Sequence, residues 1–314
     1  MKEYAFGIDL GGTTAKLGLF TVTGGLVDKW EIPTDASNHG QYILINLAQA
    51  LKDKMAENHF TKEDIAGVGM GVPGAVTEFR FVAPCANLDH WGGFDVASAF
   101  SSMMFDLPVQ VSNDANVAAL GECWMGAGKG CRNMVMLTLG TGVGGGIVLD
   151  GKVLCGKHGA GGELGHVKVR KGETRTCGCG KRGCLEQYCS ATGVVRCMKD
   201  LLEAEPDVPC VLRGRDFVAK DVFDAAREGD ALCLREVNEM ADLLGYAICG
   251  ITATVDPELI LIGGGVSRAG SILSDAVQKA AIEYAFPSCA GIPVRIATLG
   301  NDAGIYGAVK LVLE

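Results

Sequence analysis

Apolar and polar positions through Tyr4–Phe20, YAFGIDLGGTTAKLGLF, predict a strand, a glycine turn and a second strand, and the apolar segment Gly25–Ile32 predicts a third that extends the meander. Between Tyr42 and Ala56 the period changes, with Ile43, Leu47, Ala50 and Leu51 recurring at helical spacing. A buried-type strand follows at Ile65–Met70, and a short strand, Val109–Val111, leads into a helix expected over Asp114–Met125 that ends near Gly126. The opening pattern then returns at Met134–Leu149, MVMLTLGTGVGGGIVL. IDLGGTTAKLGLF from Ile8 lies over LTLGTGVGGGIVL from Leu137 without a gap, which marks an internal repeat. Each copy is later followed by a buried strand ending in glycine, AGVGMGVPG from Ala66 and LILIGGGVS from Leu259. Helices are expected over Glu236–Thr254, Ser271–Tyr284 and Ala303–Leu313. The chain reads as two related α/β halves.

The 314 residues, 48% of them hydrophobic, suffice for two cores and argue against disorder. Lys and Arg number 28 against 37 Asp and Glu, with no basic block, so the net charge of −9 repels phosphate backbones and anionic membranes; neither is expected as a partner. The longest charge-free windows are Asn133–Leu149, broken by five glycines, and Leu243–Val255, and both fall short of the ~20 apolar residues that span a bilayer. The apolar run Tyr4–Ile8 stops at Asp9 and leaves no room for a signal-peptide core, so a cytoplasmic protein is expected. Lys168–Gly183 is basic, rich in Gly and Cys and almost without large apolar side chains. It reads as an inserted surface loop that takes its order from something other than burial.

With 45 glycines, 9 prolines and no G-X-Y period, the glycines serve backbone geometry at particular sites. Gly11, Gly12, Thr13 and Thr14 in one turn, and Gly140, Thr141, Gly142 and Gly144–Gly146 in the other, can offer consecutive backbone N–H groups to an anion, or they can be tight hairpins and nothing more. Gly140, Gly142 and Gly145 fit G-x-G-x-x-G, but a strand follows where that motif opens a helix, and no G-x-x-x-x-G-K-[ST] loop is present. Two matched hairpins suggest instead two halves that clamp a polyphosphate. Asp9 then either partners a Mg²⁺ through water or caps the turn, and Lys16 either reaches the phosphates or faces solvent. Asn113 and Asp114 stand after a strand and before a helix. Asp114 reads either as a helix cap or as the group that accepts the proton of an alcohol in phosphoryl transfer.

Thirteen cysteines are present, and most of them (Cys85, Cys123, Cys155, Cys210, Cys233, Cys249 and Cys289) sit singly in apolar stretches, where a free thiol behaves as a small buried hydrophobe. His166, Cys177, Cys179 and Cys184 differ. They form H-x10-C-x-C-x4-C, four donors for a closed tetrahedral Zn²⁺ site, with Gly178, Gly180 and Gly183 letting a short loop wrap the ion. Glu163 and Glu186 flank this loop and suit the vicinal hydroxyls of a sugar. His166 can hold the metal through one ring nitrogen and donate through the other.

DLGGT at Asp9–Thr13, GVPG at Gly71–Gly74, ANL at Ala86–Leu88, NDAN at Asn113–Asn116, LGTGVGGG at Leu139–Gly146, and GELGH followed by CGCGKRGCLE up to Glu186 together resemble the ROK family (repressors, open reading frames and sugar kinases) over nearly the whole chain. The resemblance implies an α/β, two-lobed, actin-like ATPase fold of ribonuclease-H type with an inserted zinc loop. The N-terminal lobe would take 1–117 and the C-terminal helix, about 302–314, and the second lobe 118–301 with the zinc loop 166–184. It also implies phosphorylation of a hexose with ATP, Mg²⁺ and a structural Zn²⁺, glucose to glucose 6-phosphate before other sugars. N-acetylmannosamine, fructose and allose are the alternative substrates, and a non-catalytic sugar sensor is the alternative class. Carried over by position, Asp114 would be the base; Gly74, Asn87, Asn113, Asp114, Glu163, His166 and Glu186 would meet the sugar. Asp9, Gly11, Gly12, Thr13, Thr14, Lys16, Thr141, Gly142, Gly264 and Gly265 would serve the nucleotide and its Mg²⁺, and His166, Cys177, Cys179 and Cys184 the zinc. A homodimer is implied. The first hairpin begins at residue 4, which leaves no room for the helix-turn-helix domain of the family's repressors.

Overall fold

The computed structural model describes residues 2–314, and these gather into two compact units. One takes the chain through Arg132, then Gly146–Gly162 and Leu299–Glu314; the other takes Asn133–Gly145 and Glu163–Thr298.

The sheet of the first unit runs in the order Leu26–Pro33, Thr14–Thr21, Tyr4–Leu10, Ile65–Val72, Val109–Asn113. The first three strands are joined by short turns and are therefore antiparallel. The last two are reached through longer crossovers and run parallel to Tyr4–Leu10. Alternation along Tyr4–Leu10 sorts the two faces. Phe6, Ile8 and Leu10 enter a core with Leu17, Leu19, Leu47, Leu51, Met70 and Phe100, which the crossover helix Ile43–Glu57 covers. Ala5 faces the other way, with Phe20, Ile305 and Val309, beneath the C-terminal helix Ala303–Val312. That helix lies directly on the strand backbone because Gly69 has no side chain; a Cβ there would overlap the Ala308 carbonyl. Asp9 sits against Gly304 at the start of the same helix.

The second unit repeats this plan. Met134–Leu139 and Val143–Leu149 are neighbouring strands joined at a glycine turn, and Leu259–Gly263 and then Val294–Ile296 run parallel beside Met134–Leu139. The strand Val143–Leu149 passes into the first unit at Gly146, where Val148 and Leu149 pair with Val153 and Lys152. Strand order and direction match those of the first sheet, so the repeat seen in the sequence is a repeat of structure.

The helix beginning at Ala231 is longer at its front than its apolar period predicts, running to Val255, because Asp230 accepts from the Leu232 and Cys233 amides and fixes an earlier start. Lys168–Gly183 has only isolated bridges, Lys168 with Cys184 and Thr176 with Arg182, and is largely exposed with Cys177 buried. The thirteen cysteines are all free thiols. Cys210 and Cys233 depart from the expectation of isolated thiols: their sulfurs lie 3.8 Å apart. Among the described residues no helix is long and apolar enough to cross a membrane.

Candidate active site

In the first unit the residues singled out from the sequence gather at the carboxyl ends of the parallel strands. Asn113 ends the strand Val109–Asn113 in an extended conformation, and its Oδ1 accepts from the amides of Ala115 at 2.9 Å and Asn116 at 3.3 Å. Asn113 is thus the cap of the helix Asp114–Met125. Asp114 occupies the first helical position with an exposed side chain, its Oδ1 accepting from the Ala115 amide at 2.7 Å. The capping role that competed for Asp114 in the sequence belongs to its neighbour. The Asn113 amide also donates to the Gly74 carbonyl at 3.1 Å, which joins the GVPG and NDAN segments.

Asp9 pairs in register with Lys16 across the hairpin and with Gly71 on the parallel strand. Burial pushes its carboxyl up to about 6; the charge of Asp114 adds to the rise and Lys16 offsets part of it. The Lys16 ammonium donates to the Asn301 carbonyl at 2.6 Å and to Asp302 at 3.2 Å, and so ties the hairpin to the segment that opens the C-terminal helix. Gly11 donates to the Thr14 carbonyl at 3.0 Å and closes the turn, with Gly12, Thr13 and Thr14 exposed on it. Asn87, on the short turn Ala86–Leu88, lies with its carbonyl oxygen 3.5 Å from where a Gly12 Cβ would stand.

In the second unit one continuous set of contacts joins the glycine turn to the cysteine loop. Gly140 donates to the Gly142 carbonyl at 2.9 Å. The turn is anchored to the start of the helix Ala191–Ala204, where Ala191 donates to the Gly140 carbonyl at 2.8 Å and the Thr192 hydroxyl to the Thr141 carbonyl at 2.8 Å. Glu186 begins the short helix Glu186–Cys189, and its Oε2 accepts from the Val143 amide at 3.1 Å. A Cβ on Gly142 would stand 2.5 Å from that oxygen, so only glycine admits the carboxylate here. Glu186 Oε1 takes the Cys177 thiol at 3.4 Å.

Cys177 Sγ lies 3.8 Å from His166 Nδ1, and Cys179 Sγ lies 3.6 Å from Cys184 Sγ. One ligand atom from each of these four residues falls within 4.8 Å of all the others. A tetrahedral ion with metal–sulfur bonds of about 2.3 Å holds two sulfurs about 3.8 Å apart, so this donor set fits zinc in both chemistry and spacing. Lys168 Nζ stands 2.7 Å from Cys184 Sγ. Burial pushes the Cys177 thiol up to about 12, whereas the exposed Cys179 is lowered, first by the Lys181 amide. The other ring nitrogen of His166, Nε2, faces Glu163 Oε2 at 3.8 Å, and the His166 amide donates to the Glu163 carbonyl at 3.1 Å. Glu163, His166, Cys177, Glu186 and Gly142 therefore form one array.

Gly264 and Gly265 follow the strand Leu259–Gly263 and open the turn Gly265–Ala269. Gly265 lines a cavity of about 540 Å³ with Ala191, Val218, Phe223, Arg227 and Arg268. The sequence pointed to Gly265 and not to the rest of its wall. That wall comes from the helix Ala219–Arg227, where Val222, Phe223 and Ala226 carry a short helical period that nine residues barely resolve.

The chain is matched by the ROK family over residues 5–314. It belongs to the ROK family. It is 43% identical over 313 residues to a glucokinase of Halalkalibacterium halodurans, covering 98% of this chain and 94% of that one. It is 36% identical over 318 residues to a glucokinase of Thermotoga maritima, covering 100% and 98%. Among solved structures it is similar to a ROK family glucokinase from Streptomyces griseus in complex with glucose and AMPPNP, with a TM-score of 0.75, 30% identity and 98% of each chain covered.

Proposed function

We propose that this protein is an ATP-dependent hexokinase that phosphorylates glucose to glucose 6-phosphate. The observation that carries the reading beyond family likeness is the division of labour at the strand end, where Asn113 caps the helix and leaves Asp114 exposed near the half-buried Asp9. Asp114 accepts the proton of the sugar hydroxyl as its oxygen attacks the terminal phosphorus of ATP; the phosphorus–oxygen bond to the leaving group breaks and ADP departs. Gly74, Asn87, Asn113, Glu163, His166 and Glu186 are the residues assigned to hydrogen-bond and orient the sugar. Carboxylates suit this work because they accept from two hydroxyls at once.

Gly11, Gly12, Thr13 and Thr14 in one turn, with Thr141 and Gly142 in the other, offer backbone amides and hydroxyls to the phosphates. The adenosine lies on Gly265, which follows Gly264, in the cavity walled by Val218 and Phe223, with Arg227 and Arg268 also lining it. Asp9 would hold Mg²⁺ through water, and that ion supplies charge neutralisation on the phosphates. His166, Cys177, Cys179 and Cys184 would hold a structural Zn²⁺ with no open position, which fixes the direction in which Glu163 and Glu186 face.

The reading is tested by offering ATP with glucose, mannose, fructose, allose and N-acetylmannosamine and comparing kcat/KM. Glucose is expected to lead, with 6-phosphate as product. Turnover of none of these sugars removes the reading.

A further inference from the structure

The chain holds a second group of metal donors, away from the histidine–cysteine loop. Cys210 lies on the loop after the helix Ala191–Ala204, Asp230 caps the helix Ala231–Val255, and Cys233 stands in that helix's first turn. Asp230 and Cys233 lie 20 and 23 positions beyond Cys210 in sequence, yet one ligand atom from each lies within 4.8 Å of the others. The two sulfurs are 3.8 Å apart. This matches the spacing of about 3.8 Å that a tetrahedral ion with metal–sulfur bonds of about 2.3 Å imposes, and it is close to the 3.6 Å between Cys179 and Cys184 in the first group.

From this geometry we propose that Cys210, Cys233 and Asp230 form a second site for a zinc-class cation, with three protein donors and one position left to water.

The carboxylate can serve without giving up its other work. Asp230 Oδ1 caps the helix by accepting from the Leu232 and Cys233 amides at 3.1 Å each, and Oδ2 accepts from the Val211 amide at 2.9 Å. A carboxylate oxygen carries two lone pairs, so Oδ2 keeps one for a metal. The Val211 amide belongs to the residue after Cys210, so the same carboxylate already holds the loop over the helix. Cys233 is fully buried and Cys210 half-buried, which gives the ion a path in from one side and a dry floor on the other. On binding, the two thiols give up their protons to solvent and the cation takes both sulfurs as thiolates. Soft thiolate donors with one carboxylate select Zn²⁺ or Cd²⁺ over Mg²⁺ or Ca²⁺. The bound ion staples the loop at Cys210 to the turn after the helix Ala219–Arg227.

The experiment measures metal per chain in the intact protein, purified under reducing conditions, supplied with zinc and desalted. Elemental analysis is expected to give two zinc ions per chain for the natural sequence and one each for Cys210→Ser and Cys179→Ser. Because Cys210 is half-buried, its serine variant is expected to fold; a melting temperature that rises further with added zinc in the natural protein than in Cys210→Ser provides a second readout. Added Cd²⁺ is expected to produce thiolate charge-transfer absorption that Cys210→Ser reduces by one site's share. A single zinc per chain that Cys210→Ser leaves in place, with cadmium absorption unchanged by that substitution, overturns the proposal.

Discussion

Glu186 bonds the Cys177 thiol with one carboxylate oxygen, at 3.4 Å, while its other oxygen holds the Val143 amide at 3.1 Å. A single side chain thus joins the cysteine loop to the glycine turn, and a change in either is felt at the other. Glu186→Gln keeps the shape but replaces a charged acceptor with a neutral amide, and a hydrogen bond to a charged group contributes roughly 1.5–3 kcal/mol. The hexose KM is expected to rise by roughly tenfold or more, with the KM for ATP moving less. Steady-state kinetics with each substrate varied in turn checks the split.

The cysteine loop has little apolar material, and its order is assigned to metal. Cys179 is exposed, so Cys179→Ser is not expected to disturb a core. The variant is expected to lose its zinc from this loop and to bind glucose more weakly, as read by elemental analysis and calorimetry on the same sample. Sugar affinity equal to that of the natural protein in a sample lacking this ion separates the loop from substrate recognition.

Asp9 gives a pH prediction with a definite sign. Its folded-state carboxyl is raised from 3.8 to about 6, so between these values the folded chain holds a proton that the unfolded chain has released. Stability contributed by the protonated form is fully present below the lower value and is lost as pH rises through the upper one. Asp9→Asn, neutral at every pH, is expected to be more stable than the natural protein at pH 7 by on the order of 1–3 kcal/mol, and far less active. In the natural protein kcat/KM for MgATP is expected to fall below about pH 6 as Asp9 takes up its proton. Thermal unfolding and a pH profile read the two halves of this prediction; a variant less stable at pH 7 contradicts the burial argument.

Phe223 lines the cavity beside Gly265. Phe223→Ala removes an aromatic face from the position assigned to the adenine, and the KM for ATP is expected to increase by on the order of tenfold while the KM for glucose stays within twofold. Equal changes in both constants would point to general loosening of the unit.

Much of this was legible in the sequence for physical reasons. The two hairpins could be laid over each other because strand, glycine turn and strand impose the same order of apolar, polar and glycine positions in both halves, and the helices Asp114–Met125 and Ser271–Tyr284 run between the expected residues. The cluster of His166, Cys177, Cys179 and Cys184 was legible because histidine and cysteine at short spacing lie in a loop too polar to order itself. Contacts between distant segments were not. Nothing local distinguishes Cys210 and Cys233 from the other single cysteines, and only the fold brings them to 3.8 Å. Likewise the cap could not be placed from NDAN, since either of its first two residues can cap a helix; the extended conformation of Asn113 assigns it to Asn113.

The central claim is that Asp114 takes the sugar's proton during transfer from ATP. Coupled measurement of ADP release with glucose, comparing the natural protein with Asp114→Asn, tests it most directly. A kcat lower by on the order of 10²-fold or more is expected, with the KM for ATP nearly unchanged. A variant that turns over glucose at close to the natural rate contradicts it.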